Sequence, residues 1–251
     1  MNFSYNIPIF NNINIPNIQF RSGGQIVTNP QGLRKDSFNS NPLYDNFVDK
    51  NALTNIAKNN PRINEILKEN DIKLNVNMPE LEKLKYGHLM DTRVTAAKMY
   101  SALPQDMKAQ VNLIDLQQAA MLHDYGKVLI PDKILNKSGG LNEKEKRIMN
   151  QHSELGYELL KDQGVNKNVL ELVKYHHQKP DGSGYPVITD NYEPKNISAQ
   201  LLATADKYSA LREERSYKYA LNRDEALNII KQDVQTGTIE PEIYNALEKT
   251  V

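Results

Sequence analysis

The chain has 251 residues, and its 31 lysines and arginines are matched by 31 aspartates and glutamates. Such neutrality argues against a main task of gripping a long nucleic acid, which calls for a basic excess, although a few local cations suffice for a small anion. The absence of cysteine excludes disulfides, thiolate metal sites and a cysteine nucleophile, and fits a reducing cytosol. No run of about 18 apolar residues and no charged leader with an apolar core is present, so the expectation is a soluble, cytoplasmic protein without a membrane span.

Residues 1–42 are rich in Asn, Ile and Pro, with Pro8, Pro16 and Pro30 interrupting any helix. They read as a largely unstructured tail, or as an extended segment whose Ile7, Ile9, Ile13 and Ile15 dock on a surface. Residues 43–75 read as a short helical lead-in of one or two helices, with Pro61 in the first turn of the second. From residue 76 to 251 the pattern is all-α. "PELEKLKYGHLMDTRVTAAKMYSAL" reads as one long helix with His88, Thr92, Ala96, Met99 and Leu103 along a face. "DLQQAAMLHDYG" carries Leu116, Ala119, Ala120 and His123 on a face and ends at Gly126.

"LNEKEKRIMNQHSELGYELLKD" opens with Asn142 and Glu145 in capping-box order, and His152 lies within its apolar stripe of Ile148, Leu155 and Leu159. "NVLELVKYHH" places Val169, Val173 and the pair His176–His177 at helical spacing. "ISAQLLATADKYSALRE" sets Asp206 among Leu201, Leu202, Ala205 and Ser209. "RDEALNIIKQDV" and "EPEIYNALEKT" read as closing helices.

The chain has five histidines, and each falls on or at the end of a predicted helix beside apolar positions. One such histidine is usually a hydrogen-bonded core residue. Five together, with Asp124 directly after His123 and Asp206 on an apolar face, need a common partner, because unpaired buried charge is costly. Imidazole with carboxylate and no sulfur suits Fe, Mn, Ni or Zn better than Ca or Mg. The ligands outnumber what one cation uses, which points to two metals bridged by a carboxylate, Asp124. Two metals about 3.5–4 Å apart hold a hydroxide for in-line attack on phosphorus or a similar electrophile.

The ordered set "LHDYGKVLIPDKILNKSGGLNEKEKRIMNQHSELGYELL", "HHQKPDGSGYP", "ATADKYSAL" and "REERSYK" resembles the HD-GYP family of the HD superfamily of metal-dependent phosphohydrolases, over roughly residues 85 to 245. The resemblance implies an all-α, HD-domain helical bundle around a binuclear metal site, commonly iron or manganese. It also implies a phosphodiesterase that hydrolyses the bacterial messenger cyclic di-GMP to pGpG or GMP. Residue by residue, it implies metal ligands His88, His123, Asp124, His152, His176, His177 and Asp206. Lys127 matches a lysine that contacts the scissile phosphate, so Asp124 and Lys127 are the expected catalytic pair. Arg215 and Lys218 match a segment with phosphate contacts, and otherwise form a solvated face. Tyr185 and the loop around it are expected at the pocket rim, where a guanine base or a signalling partner would dock; the N-terminal tail is a second candidate for the partner. Gly182 and Gly184 are expected to take positive φ, with Tyr185–Pro186 stiffening the exit.

Four departures stand out. Gln178 occupies the position of a family glutamate, and Ser209 that of an aspartate. Two extra residues separate His88 from Arg93, so either His88 or Met90 takes the first ligand position, with His88 favoured as the head of the apolar stripe. Leu84 stands where three-metal members have glutamate, which predicts two metals. Two other readings are open: an HD phosphohydrolase acting on another cyclic dinucleotide or nucleotide, and a catalytically weak metal- and ligand-binding signalling module.

Overall fold

Asparagine opens most of the helices. The computed structural model describes residues 50–214 and 219–251, so the expected tail, Arg215 and Lys218 lie outside the described residues. Helix α1 (Lys50–Asn59) leads to α2 (Pro61–Glu69), α3 (Met78–Tyr86), α4 (His88–Ala102), the short α5 (Gln105–Lys108) and α6 (Leu113–Leu122). A 3-10 turn, Tyr125–Leu129, precedes the short α7 (Asp132–Leu135), then α8 (Glu143–Asn150), α9 (His152–Leu160) and α10 (Lys167–Tyr175). The chain closes with α11 (Ile197–Arg212), α12 (Arg223–Gln235) and α13 (Pro241–Thr250), and no strand occurs among the described residues.

The side chains of Asn60, Asn77, Asn112, Asn142, Asn166, Asn196 and Asn222 each accept from a backbone N–H in the first turn that follows. This satisfies donors that a helix start leaves open, at about 1 kcal/mol per cap. The capping box expected at Asn142 and Glu145 forms, and Asn222 with Glu225 forms another. Pro61 takes the first turn of α2 as expected.

Residues Thr54–Val251 make one unit. Within it α4 is the central helix, packed on α6, α11 and α13, while α10 lies against α6 and α9. Buried alanines on the packed faces (Ala96 and Ala97 on α4, Ala119 and Ala120 on α6, Ala199 and Ala205 on α11) keep these faces shallow, so the helices can approach closely. Leu89, Met99, Leu116, Leu155, Val173, Leu201 and Leu247 fill the space between them.

Two expected long helices are each split in two. Gly87, at φ −123° and ψ −101°, separates α3 from α4, so His88 opens a helix instead of lying within one. Gln151 separates α8 from α9, and His152 likewise stands at a helix start. His123 and Asp124 directly follow α6, and His176 and His177 follow α10. Of the expected ligands only Asp206 lies inside a helix. Helix ends from four parts of the chain thus converge on one place.

Candidate metal centre

The three best-defined imidazoles are oriented by the backbone. His123 Nδ1 lies 3.0 Å from Ala120 O, His152 Nδ1 2.7 Å from Met149 O, and His176 Nδ1 2.8 Å from Val173 O. A carbonyl only accepts, so each Nδ1 carries a proton and donates it, and each Nε2 is aimed away from its own helix. All three rings are almost wholly buried.

Two of these Nε2 atoms meet. His152 Nε2 and His176 Nε2 are 3.3 Å apart. Burial pushes the His152 imidazolium down to about 4, and Lys127 beside it also disfavours protonation, against the pull of Asp124. Burial and then the neighbouring His177 hold His176 well below the ordinary range. Neither Nε2 therefore carries a proton at neutral pH, and the two lone pairs face one another across a gap suited to a cation. Two nitrogens each about 2 Å from one tetrahedral ion lie about 3.3 Å apart. His177 stacks at a tilt on His176, with ring centroids 4.0 Å apart, and burial pushes it down to about 3.

A second group forms around Asp206. Its Oδ1 is 2.8 Å from His88 Nε2 and 3.6 Å from His123 Nε2. Asp124 stands between the two groups: Oδ1 is 3.3 Å from His152 Nε2, whereas Oδ2 is 3.5 Å from His123 Nε2 and 3.7 Å from His88 Nε2. Donor atoms of His152, His176 and His177 lie within 4.8 Å of one another, as do those of His88, His123 and Asp206, and those of His123, Asp124 and His176. Burial opposes ionisation of Asp124, but Lys127 and the surrounding imidazoles outweigh it and hold the carboxylate well below its usual range. Asp206 behaves alike, with His123 and His88 overcoming burial. For His123 burial is again the largest influence, yet Asp124 and Asp206 outweigh it and raise the imidazole.

The residues fit divalent metal. His88 Nδ1 and His123 Nε2 are buried without hydrogen-bond partners, and unprotonated nitrogens face one another in the core with two ionised carboxylates between them. Divalent metal would give His123 Nε2, the facing Nε2 atoms and the two carboxylates a common partner.

Two groups beside the centre are less buried than its histidines. Lys127 Nζ lies 2.6 Å from Asp124 Oδ2 with its side chain 18% exposed. The Tyr185 ring leans on His177 at 4.6 Å between centroids. Its hydroxyl is pushed up by burial and by the charges of Asp206 and Asp124, so the phenol stays neutral.

Each expected ligand is thus brought to the centre. His88 Nε2 faces Asp206 Oδ1 at 2.8 Å, while Met90 sulfur lies 4.0 Å from Arg93 Nη1. Ser209 is buried, and its hydroxyl reaches His88 O at 3.4 Å. One expectation is corrected: Gly182 has φ +76°, but Gly184 is not a positive-φ glycine. Gly184 is needed for space, because a Cβ there would lie 2.1 Å from His177 O.

Sequence reasoning missed Gly126, which it read only as a helix end. A Cβ at Gly126 would lie 2.0 Å from His152 O and 2.4 Å from Gly156 N, so the turn after Asp124 rests directly on the backbone of α9. The spaced pair Gly126 and Gly156 was the available signal. Thr92 was placed on the face of His88, but its buried, unpartnered hydroxyl was not anticipated.

The pattern of the HD domain family matches residues 71–243. A 3'3'-cGAMP-specific phosphodiesterase of Vibrio cholerae is 35% identical over 54% of this chain and 29% of its own length. A cyclic di-GMP phosphodiesterase of Thermotoga maritima is 36% identical over 56% of this chain and 38% of its own. The chain thus spans well under half the length of these curated relatives. Among solved structures, the HD domain of the phosphodiesterase PgpH from L. monocytogenes, in complex with cyclic-di-AMP, matches at TM-score 0.49 and 17% identity, over 68% of this chain and 92% of that one. The chain belongs to the HD domain family.

Proposed function

We propose that this chain is a metal-dependent phosphodiesterase that opens a cyclic dinucleotide, cyclic di-GMP first, to pGpG or GMP. The observation that carries the reading is the pair of ligand groups, His88–His123–Asp206 and His152–His176–His177, with Asp124 reaching both. We assign two divalent ions, iron or manganese, to these groups; when bound they supply Lewis acidity toward phosphate and a nucleophile drawn from water. Asp124 ties the groups together, and its depressed pKa keeps it ionised as a ligand. Lys127, held at Asp124 Oδ2, sets an ammonium where charge builds on a phosphoryl group, an arrangement that favours the transition state over the substrate. Tyr185 presents a neutral phenol and an aromatic face at the opening, suited to a phosphate oxygen or a base. We retain Arg215 and Lys218 as further phosphate contacts, and residues 76–251 as the catalytic domain.

The ligand groups act on phosphorus and leave the base unread, so a second cyclic dinucleotide is the alternative substrate; the relatives named above differ in this respect. A metal- and ligand-binding signalling module is less well supported, because every expected histidine is in place. To test the reading, protein loaded with iron or manganese without oxygen is incubated with cyclic di-GMP and, in parallel, with 3'3'-cGAMP, and the products are separated by chromatography. Conversion of cyclic di-GMP to pGpG or GMP is expected. Faster conversion of 3'3'-cGAMP moves the assignment to that dinucleotide, and turnover of neither removes the enzyme reading.

A further inference from the structure

Gln178 is buried directly after the histidine pair. Its backbone N–H donates to Tyr175 O at 2.9 Å, which fixes it to the end of α10. Its side chain uses both ends of the amide. Oε1 accepts from Gly184 N at 3.2 Å, and Nε2 donates to Pro186 O. Tyr185 is the residue between those two contacts, and its own N–H reaches His177 O at 3.4 Å. Gly184 lies so close to this backbone that a Cβ would be 2.6 Å from Gln178 Cα. The loop is folded flat on His177–Gln178, and the Tyr185 ring comes to rest on the His177 ring.

We infer that Gln178 is a positioning residue that clasps Gly184 and Pro186 and so presets Tyr185 against His177 as the substrate-facing wall of the site. The inference rests on the reading of Tyr185 as a substrate contact. A glutamate would keep the acceptor for Gly184 N but set a carboxylate oxygen against the carbonyl of Pro186, which only a donor can face. The amide is therefore the chemistry that closes both sides of the loop. With the wall fixed before binding, less ordering remains for the substrate to impose.

The test compares the full chain with Gln178→Met, which keeps bulk and removes both hydrogen bonds, and with Gln178→Glu. Hydrogen exchange at residues 179–187 is expected to accelerate about tenfold in Gln178→Met, with Gln178→Glu between it and the unchanged chain. KM for cyclic di-GMP should rise about tenfold with a smaller fall in kcat. In a Tyr185→Ala background Gln178→Met should add no more than about a twofold rise in KM, because both substitutions then remove one thing. Unaltered loop exchange, KM effects that multiply in the double variant, or loss of helicity or of bound metal in Gln178→Met would each overturn the inference. Exchange needs no turnover. If the unchanged chain leaves cyclic di-GMP intact, the functional reading falls, and the clasp is then decided by exchange alone.

Discussion

At the scale of single residues, main-chain carbonyls orient the imidazoles of the centre. Ala120 O, Met149 O and Val173 O each accept from the Nδ1–H of the histidine three positions on, and so turn three Nε2 atoms into shared space. This accounts for a difference in the consequences of substitution. His152→Ala and Asp206→Ala strike opposite ligand groups, and each should abolish activity and at least one bound metal while circular dichroism shows helicity retained. Activity surviving either change would contradict the two-group arrangement. Lys127 contacts Asp124 but belongs to neither group. Lys127→Met should accordingly lower kcat by about 100-fold with metal still bound, the loss typical when one preorganised donor to a developing charge is removed. These residue types and their order are legible in the sequence, since His-Asp, the later histidines and Asp206 stand out against apolar helix faces. Gln178 is different. Its role depends on a loop folding back on it, and no local pattern records that contact.

At the scale of elements, the decisive contact is between the 3-10 turn Tyr125–Leu129 and α9. Gly126 sits against the carbonyl of His152 and the N–H of Gly156, so the turn that carries Asp124 and the helix that carries His152 touch backbone to backbone. Gly126→Ala would drive a methyl into main chain that cannot move like a side chain. The expected result is a destabilisation of about 3 kcal/mol or more, read as a lower denaturation midpoint, together with weaker metal binding. An unchanged midpoint would show that the contact is looser than the structure indicates. Helix periodicity made the helices themselves readable, and the asparagine caps marked where several of them start. The breaks at Gly87 and Gln151 escaped because the apolar stripes run through them, whereas the packing of α4 on α6 and α11 and of α9 on α10 and the 3-10 turn lies between segments distant in sequence. The consequence is functional, since each break places a histidine at a helix start facing the centre.

At the scale of the whole molecule, a polar cluster in the core ties stability to pH. In the metal-free protein His152, His176 and His177 are held below the ordinary imidazole range, the first to about 4 and the last to about 3. As pH falls through about 6.5 the unfolded chain takes up protons that these folded residues refuse, so stability is lost on acidification, each such residue contributing a slope of up to about 1.4 kcal/mol per pH unit. Asp124 and Asp206, held low when folded, add stability that is present above the ordinary carboxylate range and lost as pH falls further. His123 acts in the other direction: its raised value gives a contribution present below about 6.5 and lost as pH rises through the folded value. Three histidines outweigh one. The urea midpoint of metal-free protein should therefore be lower at pH 5 than at pH 7.5, and equal midpoints would mean that the imidazoles are less shielded than their burial implies. The described helices include none long and apolar enough to cross a membrane.

The most direct test of the two-group centre counts metal. Metal-free chain, handled without oxygen, is titrated with manganese or ferrous iron, and the bound ion is measured per chain in the unchanged protein, in His88→Ala and in His176→Ala. The account predicts two ions in the unchanged chain and one in each variant. A single ion in the unchanged chain, or two ions retained in either variant, would contradict it.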